Sequence, residues 1–339
     1  MDQELQATIG ALVQQGKGIL AADESLPTIA KRFQAIGLES SEENRRAFRS
    51  LMLTTPGLGE YLSGVILFEE TLGQKAGDGT PLPLAAARQG IVPGIKVDKG
   101  TVALANAPGD LVTQGLDGLA ERLRGYKGQG ARFAKWREVY PITERNPTAL
   151  GIAVNAQVLA RYAAVCQEQG FVPIVEPEVL LDGDHTMERC SEVTEAVLQA
   201  VFGALLEHKV VLEWMLLKPS MVLPGKDYPR KAGPEEIARE TIKVLRRSVP
   251  AAVPSINFLS GGQSPQQATA NLNAMNALFP RAPWELSFSY ARALQQPVLD
   301  AWRGKSENVE AAQKALSLRG KLNAAARKGQ YRPEMEPTH

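Results

Sequence analysis

The chain has few of the residues that usually announce chemistry or a secreted life. It holds 2 cysteines in 339 residues, Cys166 and Cys190, with no C-x-x-C pair. That excludes a disulfide framework and makes a reducing compartment the default reading. Histidine is nearly as scarce: His185, His208 and His339 lie far apart, none at H-x-x-x-H spacing. A histidine-based zinc centre is therefore not expected. An excess of one charge sign is also missing. The 38 Lys and Arg against 37 Asp and Glu leave a net charge of +1, too weak a field for nucleic-acid or membrane-surface binding. No run of about 18 apolar residues reads as a membrane span. The polar, acidic start Met1-Asp2-Gln3-Glu4 does not read as a signal or transit peptide. Neither G-x-G-x-x-G nor G-x-x-x-x-G-K-[ST] occurs, so dinucleotide and P-loop readings lose their main support.

What is present is an alternation. Short apolar runs, bounded by Gly or Pro, are followed by amphipathic helical stretches. The runs fall at residues 18–23, 64–68, 91–97, 132–140, 171–175, 210–217, 253–259 and 285–290. Helical patterns occupy 2–15, 42–53, 111–126, 147–169, 186–208, 234–248, 264–278, 291–303 and 306–328. Eight such units predict an α/β fold, a (β/α)8 TIM barrel, with an extra N-terminal helix and a C-terminal helical segment. An open doubly wound sheet fits the periodicity equally well. The expected organisation is one barrel domain over 1–328 and a mobile polar tail over 329–339.

Barrels carry their chemistry at the C-terminal strand ends. Here those ends read Asp23, Lys96 with Asp98, Lys135 with Arg137, Glu176 with Glu178, Lys218, Ser260-Gly261-Gly262, and Ser289 with Arg292. Lys218 closes an apolar run. A desolvated amine favours its neutral, nucleophilic form, although a strand-end lysine can also reach back to water. Glu176 and Glu178 share one strand face and suit proton transfer; alone, a Glu-Pro-Glu also reads as a solvated loop pair. Ser260-Gly261-Gly262, opening a helix, offers backbone N–H groups to an anion, or is simply a turn. Asp23 reads as a helix N-cap or a general base. Several cations in a neutral protein point to an anionic small molecule.

Nine ordered segments carry a resemblance: GKGILAADES, IAKR at 29–32, GIKVDKG, FAKWR, PIVEPE, DGDH, LLKP, FLSGGQS and FSYARALQ. Together the chain resembles the class I, Schiff-base, metal-independent fructose-bisphosphate aldolases. The resemblance implies a TIM barrel with no cofactor and no metal. It implies reversible cleavage of fructose 1,6-bisphosphate to triose phosphates, in glycolysis, gluconeogenesis or carbon fixation, by a cytoplasmic homotetramer. It makes Lys218 the imine-forming lysine, Glu176 the proton donor and acceptor, and Asp23 the base at the C4 hydroxyl. Lys135 and Glu178 stand beside them. It puts Ser260, Gly261, Gly262, Ser289 and Arg292 at one phosphate, and Ser25, Thr28, Lys96 and Arg137 toward the other, with Arg32 also touching substrate. Rival readings are the same chemistry on sedoheptulose 1,7-bisphosphate, a non-catalytic scaffold, and a metal-dependent lyase. Three departures stand out. Leu26-Pro27 replaces Thr-Gly and stiffens the loop before Thr28. Ala291 stands where animal members have Gly. Animal members end in a tyrosine where this chain reads Pro337-Thr338-His339, which leaves Tyr331 as a possible tail acid.

Overall fold

The computed structural model describes residues 2–337. Eight parallel strands close into a barrel: β1 (Gly18–Ala22), β2 (Leu62–Leu67), β3 (Val92–Lys96), β6 (Phe133–Tyr140), β7 (Val172–Val179), β8 (Leu216–Leu217), β9 (Ser255–Phe258) and β10 (Glu285–Tyr290). The closed order β1-β10-β9-β8-β7-β6-β3-β2 rules out the open sheet. A small antiparallel hairpin, β4 (Thr101–Ala103) with β5 (Leu111–Thr113), is inserted after β3. The helices are α1 (Asp2–Leu12), α2 (Leu26–Gln34), α3 (Glu42–Leu53), α4 (Glu69–Leu72), α5 (Leu82–Ala87), α6 (Leu119–Gly128), α7 (Ala149–Glu168), α8 (Met187–Glu207), α9 (Pro234–Ser248), α10 (Pro265–Leu278), α11 (Arg292–Trp302) and α12 (Val309–Ala326).

The lower barrel is an apolar plug. Ile19, Ala21, Ile66, Phe133, Val172, Ile174 and Leu216 point inward, and α1 adds Leu5 and Leu12 from beneath. Glycine makes room for the rings. A Cβ on Gly94 would overlap the Phe133 ring, and one on Gly18 would overlap Phe288. Capping follows the sequence cues. Ser264 and Gln267 form a reciprocal capping box at α10, and Pro234 opens α9.

Four expectations change. Residues 210–217 are not one strand. Gln167 holds both backbone groups of Val211, donating to its O at 2.8 Å and accepting from its N at 2.9 Å. A 3-10 turn over Leu212–Trp214 follows, and only Leu216–Leu217 pair as strand. The helix expected at 111–126 starts at Leu119, because Gly115 and Gly118 take positive φ and the preceding residues pair as β5. No membrane-length apolar helix was expected, yet α7 is long and apolar enough by length and composition. It lies in the barrel's shell, with the Tyr162 ring tilted against Trp136 of β6, centroids 5.5 Å apart. Finally, the segment after α12 is tied down at Tyr331 and Glu336, while residues 332–335 between them are exposed. Tyr331 is 7% exposed, its N–H donates to Asn273 at 2.9 Å, and Glu336 accepts two bonds of 2.7 Å from buried Arg319. His339 lies outside the described residues.

Gly94→Ala is expected to overpack the barrel floor and lower the unfolding free energy by about 1–3 kcal/mol. Chemical denaturation at pH 7 measures it, and an unchanged midpoint would show that Phe133 can move aside.

Candidate active site

The strand ends that the sequence marked converge on one buried cluster. β6 and β7 pair in register, with Lys135 opposite Ile174 and Arg137 opposite Glu176. Residues 135 and 137 therefore face the mouth together, while Trp136 and Glu138 turn outward. The β7 strand runs on to Val179, four residues past its expected end. Glu176 and Glu178 are thus strand residues, not a solvated loop pair. Lys218 leaves β8 with its backbone N–H bonded to Val175 O at 2.8 Å, which sets its side chain beside Glu176.

The cluster is held by distances of ion-pair length. Lys218 Nζ is 3.1 Å from Glu176 Oε1. Glu176 Oε2 is 3.2 Å from Lys135 Nζ. Lys135 Nζ is 2.7 Å from Asp23 Oδ2 and 3.9 Å from Asp98 Oδ2. Asp98 Oδ1 accepts from Lys96 Nζ at 2.6 Å. Asp23, Lys135, Glu176 and Lys218 are each less than 8% exposed. Burial alone would push the Asp23 carboxyl up, but Lys135, Lys218 and Lys96 outweigh it and hold it far below the usual carboxylate range. Burial would likewise lower Lys135; Asp23, Glu176 and Asp98 hold it above the usual lysine range. Lys96 is lowered by burial and by Lys135, with Asp98 opposing. Glu178, raised by burial, accepts from Arg137 Nη1 at 2.9 Å.

Asp23 is not the N-cap of α2; Ser25 is, with its Oγ 3.1 Å from Thr28 Oγ1. Leu26-Pro27 lies in the first turn of α2, so the segment before Thr28 is helix and not a stiffened loop. Arg32 binds Glu24, which also pairs with Arg49 at 2.6 Å and accepts from Gln295 at 2.7 Å. At the mouth's far side Gly261 and Gly262 take φ of 49° and 91°. The Gly262 position abuts the Arg292 guanidinium. Ser260 is 5% exposed, and Ser289 is 1% exposed with an unpartnered Oγ. Ala291 sits at φ −98°, outside the left-handed region in which a residue other than glycine is strained by its φ. Tyr331 lines one cavity with Gly262. Its hydroxyl donates to Glu336 at 3.0 Å, and burial with that bond pushes it up to about 12.

Sequence reasoning gave no role to Asp98, Glu24, Arg49 or Gln295. Asp98 stood out beside Lys96 as a strand-end residue, but only the fold sets it near Lys135. Arg49 sits mid-helix in α3 and carried no signal.

A closed parallel barrel with a charged cluster buried at the C-terminal ends of its strands defines a TIM-barrel enzyme. The family model described as "Glycolytic: Fructose-bisphosphate aldolase class-I" matches residues 4–339. The chain belongs to the class I fructose-bisphosphate aldolase family. It is 55% identical over 333 residues to "Fructose-bisphosphate aldolase 4, cytosolic" of Arabidopsis thaliana, covering 98% of this chain and 85% of that one. It is 54% identical over 331 residues to "Probable fructose-bisphosphate aldolase class 1" of Xanthomonas campestris, covering 97% and 99%. Among solved structures it is similar to fructose-bisphosphate aldolase from Plasmodium falciparum, crystallised with TRAP and a small-molecule inhibitor. That match has a TM-score of 0.96 and 51% identity, covering 97% of this chain and 95% of that one.

Lys135→Met leaves Asp23, Glu176 and Asp98 without their shared cation and is expected to destabilise the fold by about 3–5 kcal/mol at pH 7. Asp23 has a depressed folded-state value, so its stabilising contribution is present above the unfolded value near 3.8 and is lost as pH falls below it. The gap between wild type and variant should therefore narrow below about pH 4. Thermal unfolding across pH checks the sign.

Proposed function

We propose that the chain cleaves fructose 1,6-bisphosphate reversibly into dihydroxyacetone phosphate and glyceraldehyde 3-phosphate through an imine on Lys218. The observation that carries this is the unbroken run Lys218–Glu176–Lys135–Asp23, with links of 3.1, 3.2 and 2.7 Å. Membership of the family supplies the substrate class.

The Lys218 amine adds to the C2 carbonyl. Glu176, within proton-transfer distance of Nζ, protonates the departing hydroxyl, water leaves, and an iminium remains. Asp23 accepts the C4 hydroxyl proton as the C3–C4 bond breaks. The bonding pair moves into the C2–C3 enamine, C4 becomes the aldehyde, and glyceraldehyde 3-phosphate departs. The enamine takes a proton at C3, and hydrolysis releases dihydroxyacetone phosphate. Lys135, held cationic, keeps Asp23 ionised and compensates Glu176 while charge moves. Asp23 becomes an effective base when the substrate hydroxyl replaces part of its contact with Lys135. Ser260, Gly261, Gly262, Ser289 and Arg292 hold one phosphate; Ser25, Thr28, Arg32, Lys96 and Arg137 serve the other, with Glu178 orienting Arg137. The plant relative's name supports a cytoplasmic location, and light scattering would test the homotetramer.

Borohydride trapping in the presence of fructose 1,6-bisphosphate and a chelator should place a reduced adduct on Lys218, read by peptide mass. Lys218→Met should lose both adduct and turnover while melting as a folded protein. An adduct elsewhere, or cleavage by the variant, would overturn the assignment. Tyr331→Phe is expected to leave both C–C cleavage and α-proton exchange of dihydroxyacetone phosphate within roughly twofold, because its hydroxyl is committed to Glu336. A selective loss of exchange would return Tyr331 to the role of tail acid.

A further inference from the structure

The β4–β5 hairpin is fastened to the outer side of β6, the strand that presents Lys135 and Arg137 to the site. Glu138 makes that fastening. It faces away from the mouth with Trp136 and Tyr140 and is wholly buried. Among the described residues no cation pairs with it. Its two oxygens each accept one N–H instead. Trp136 Nε1 donates at 2.9 Å and the Thr113 backbone N at 3.0 Å. The Thr113 hydroxyl in turn donates to Arg137 O at 2.7 Å. At the hairpin's base, Lys99 N donates to Gln114 O at 2.8 Å and Gln114 N to Gly100 O at 2.9 Å. The next residue back is Asp98, which holds Lys96 and faces Lys135. One carboxylate thus links the hairpin, the active-site strand and the acid that orients two site lysines. An uncompensated buried carboxylate is expensive, and nothing in the barrel's packing calls for one on this outward face.

We propose that Glu138 is a positioning residue: ionised, it fastens the β4–β5 hairpin to β6 and so sets Asp98 against Lys96 and Lys135; protonated, it loosens them. This rests on the reading of the lysine–carboxylate cluster as the catalytic centre. A protonated carboxyl carries O–H on one oxygen, so one of the two N–H donors loses its acceptor. Tyr140, two residues along on the same face, has a buried hydroxyl with no partner of its own. The groups bonded to Glu138 are Trp136 of β6 and Thr113 of β5. From α7, Asn155 donates to Leu111 O at 3.0 Å, and the Tyr162 ring lies tilted against Trp136, centroids 5.5 Å apart. Asp98 is the charge that acts on Glu138. Burial raises the Glu138 carboxyl to about 7; the bonds from Trp136 and Thr113 oppose that rise, and Asp98 adds to it. The change of state therefore falls at neutral pH. Because this value is raised, the stability Glu138 contributes is complete below the unfolded value near 4.5 and is lost as pH climbs through about 7. The ionised form fastens the hairpin better and costs the fold as a whole.

The test compares wild type, Glu138→Gln and Trp136→Phe by kcat/KM for fructose 1,6-bisphosphate from about pH 6 to about pH 8.5. Substrate phosphates titrate in the same window but identically for every enzyme, so they cancel in ratios. The ratio of wild type to E138Q should climb from near unity at the acid end to about fivefold at the alkaline end, the worth of one net hydrogen bond. Its midpoint should lie near 7. W136F keeps the ring against Tyr162 but removes one donor, so its own transition should move to higher pH. A purely structural role would give a constant ratio. Hydrogen exchange over residues 101–114, corrected for intrinsic rates, reads the fastening without substrate. Exchange there should be slower in wild type than in E138Q at the alkaline end and equal at the acid end. Equal exchange throughout, a flat ratio, or an unmoved W136F transition overturns the proposal; if E138Q does not fold, W136F decides. A wild type that leaves the bisphosphate uncleaved at every pH refutes the proposed function instead, and the exchange experiment still judges Glu138.

Discussion

One buried ammonium organises this molecule's chemistry. Lys135 lies within 4 Å of three carboxylates, Asp23, Glu176 and Asp98, at a depth where each would otherwise be costly to ionise. Because all three lean on the same cation, their geometry is shared. Asp23 stays ionised and Glu176 is held between two amines. Asp98 turns its second oxygen to Lys96. With Lys96 and Lys218 included, amines and carboxylates alternate through the cluster, so they hold one another as a set rather than pair by pair.

The barrel supplies the setting that makes such a network strong. Below the cluster the lumen is filled by Phe133, Ile174, Leu216 and their neighbours, and α1 closes the floor. Water is excluded from underneath, so the charged layer interacts through a medium of low dielectric. The glycine at 94 lets the Phe133 ring fill the floor, and the glycine at 18 makes room for Phe288 in the outer core. The polar layer then begins where the strands end, which is where parallel strands lose their partners and helix N-termini gather. Gly261 and Gly262, which the Arg292 guanidinium approaches, belong to that same rim, between β9 and the start of α10.

A further set of contacts governs the rim without touching its centre. Glu24 gathers Arg32, Arg49 and Gln295 behind Asp23. Arg319 reaches the first turn of α10, donating to Pro265 O at 2.9 Å, and receives Glu336 from the tail. Glu138 fastens the hairpin behind Lys135. Each is a buried polar group joining elements distant in sequence, and each ends one residue or one turn from a group at the mouth. Such groups lock side chains that the catalytic steps require to be still.

The strand–helix alternation was legible in the sequence because burial on one face imposes a period on the chain, and the nine motif segments pointed to the family and its lysine. Local chemistry also declared Ser264 and Pro234 as helix starts. Other features were not legible, and for physical reasons. Residues 210–214 have strand composition, but the Gln167 side chain takes their backbone partners. Asp23 looks like a cap by local pattern, and only the approach of Lys135 from 112 residues away makes it an ion-paired carboxylate. Tyr331 reads as part of a loose tail until Glu336 and Arg319 pack it down. By itself the sequence determined which segments become strands and helices and which residue types stand at their ends, because those follow from local periodicity and turn chemistry. The tertiary structure alone decided which charges meet, since closing the barrel brings together side chains from strands far apart in the chain, and Coulomb interactions depend on distance in space.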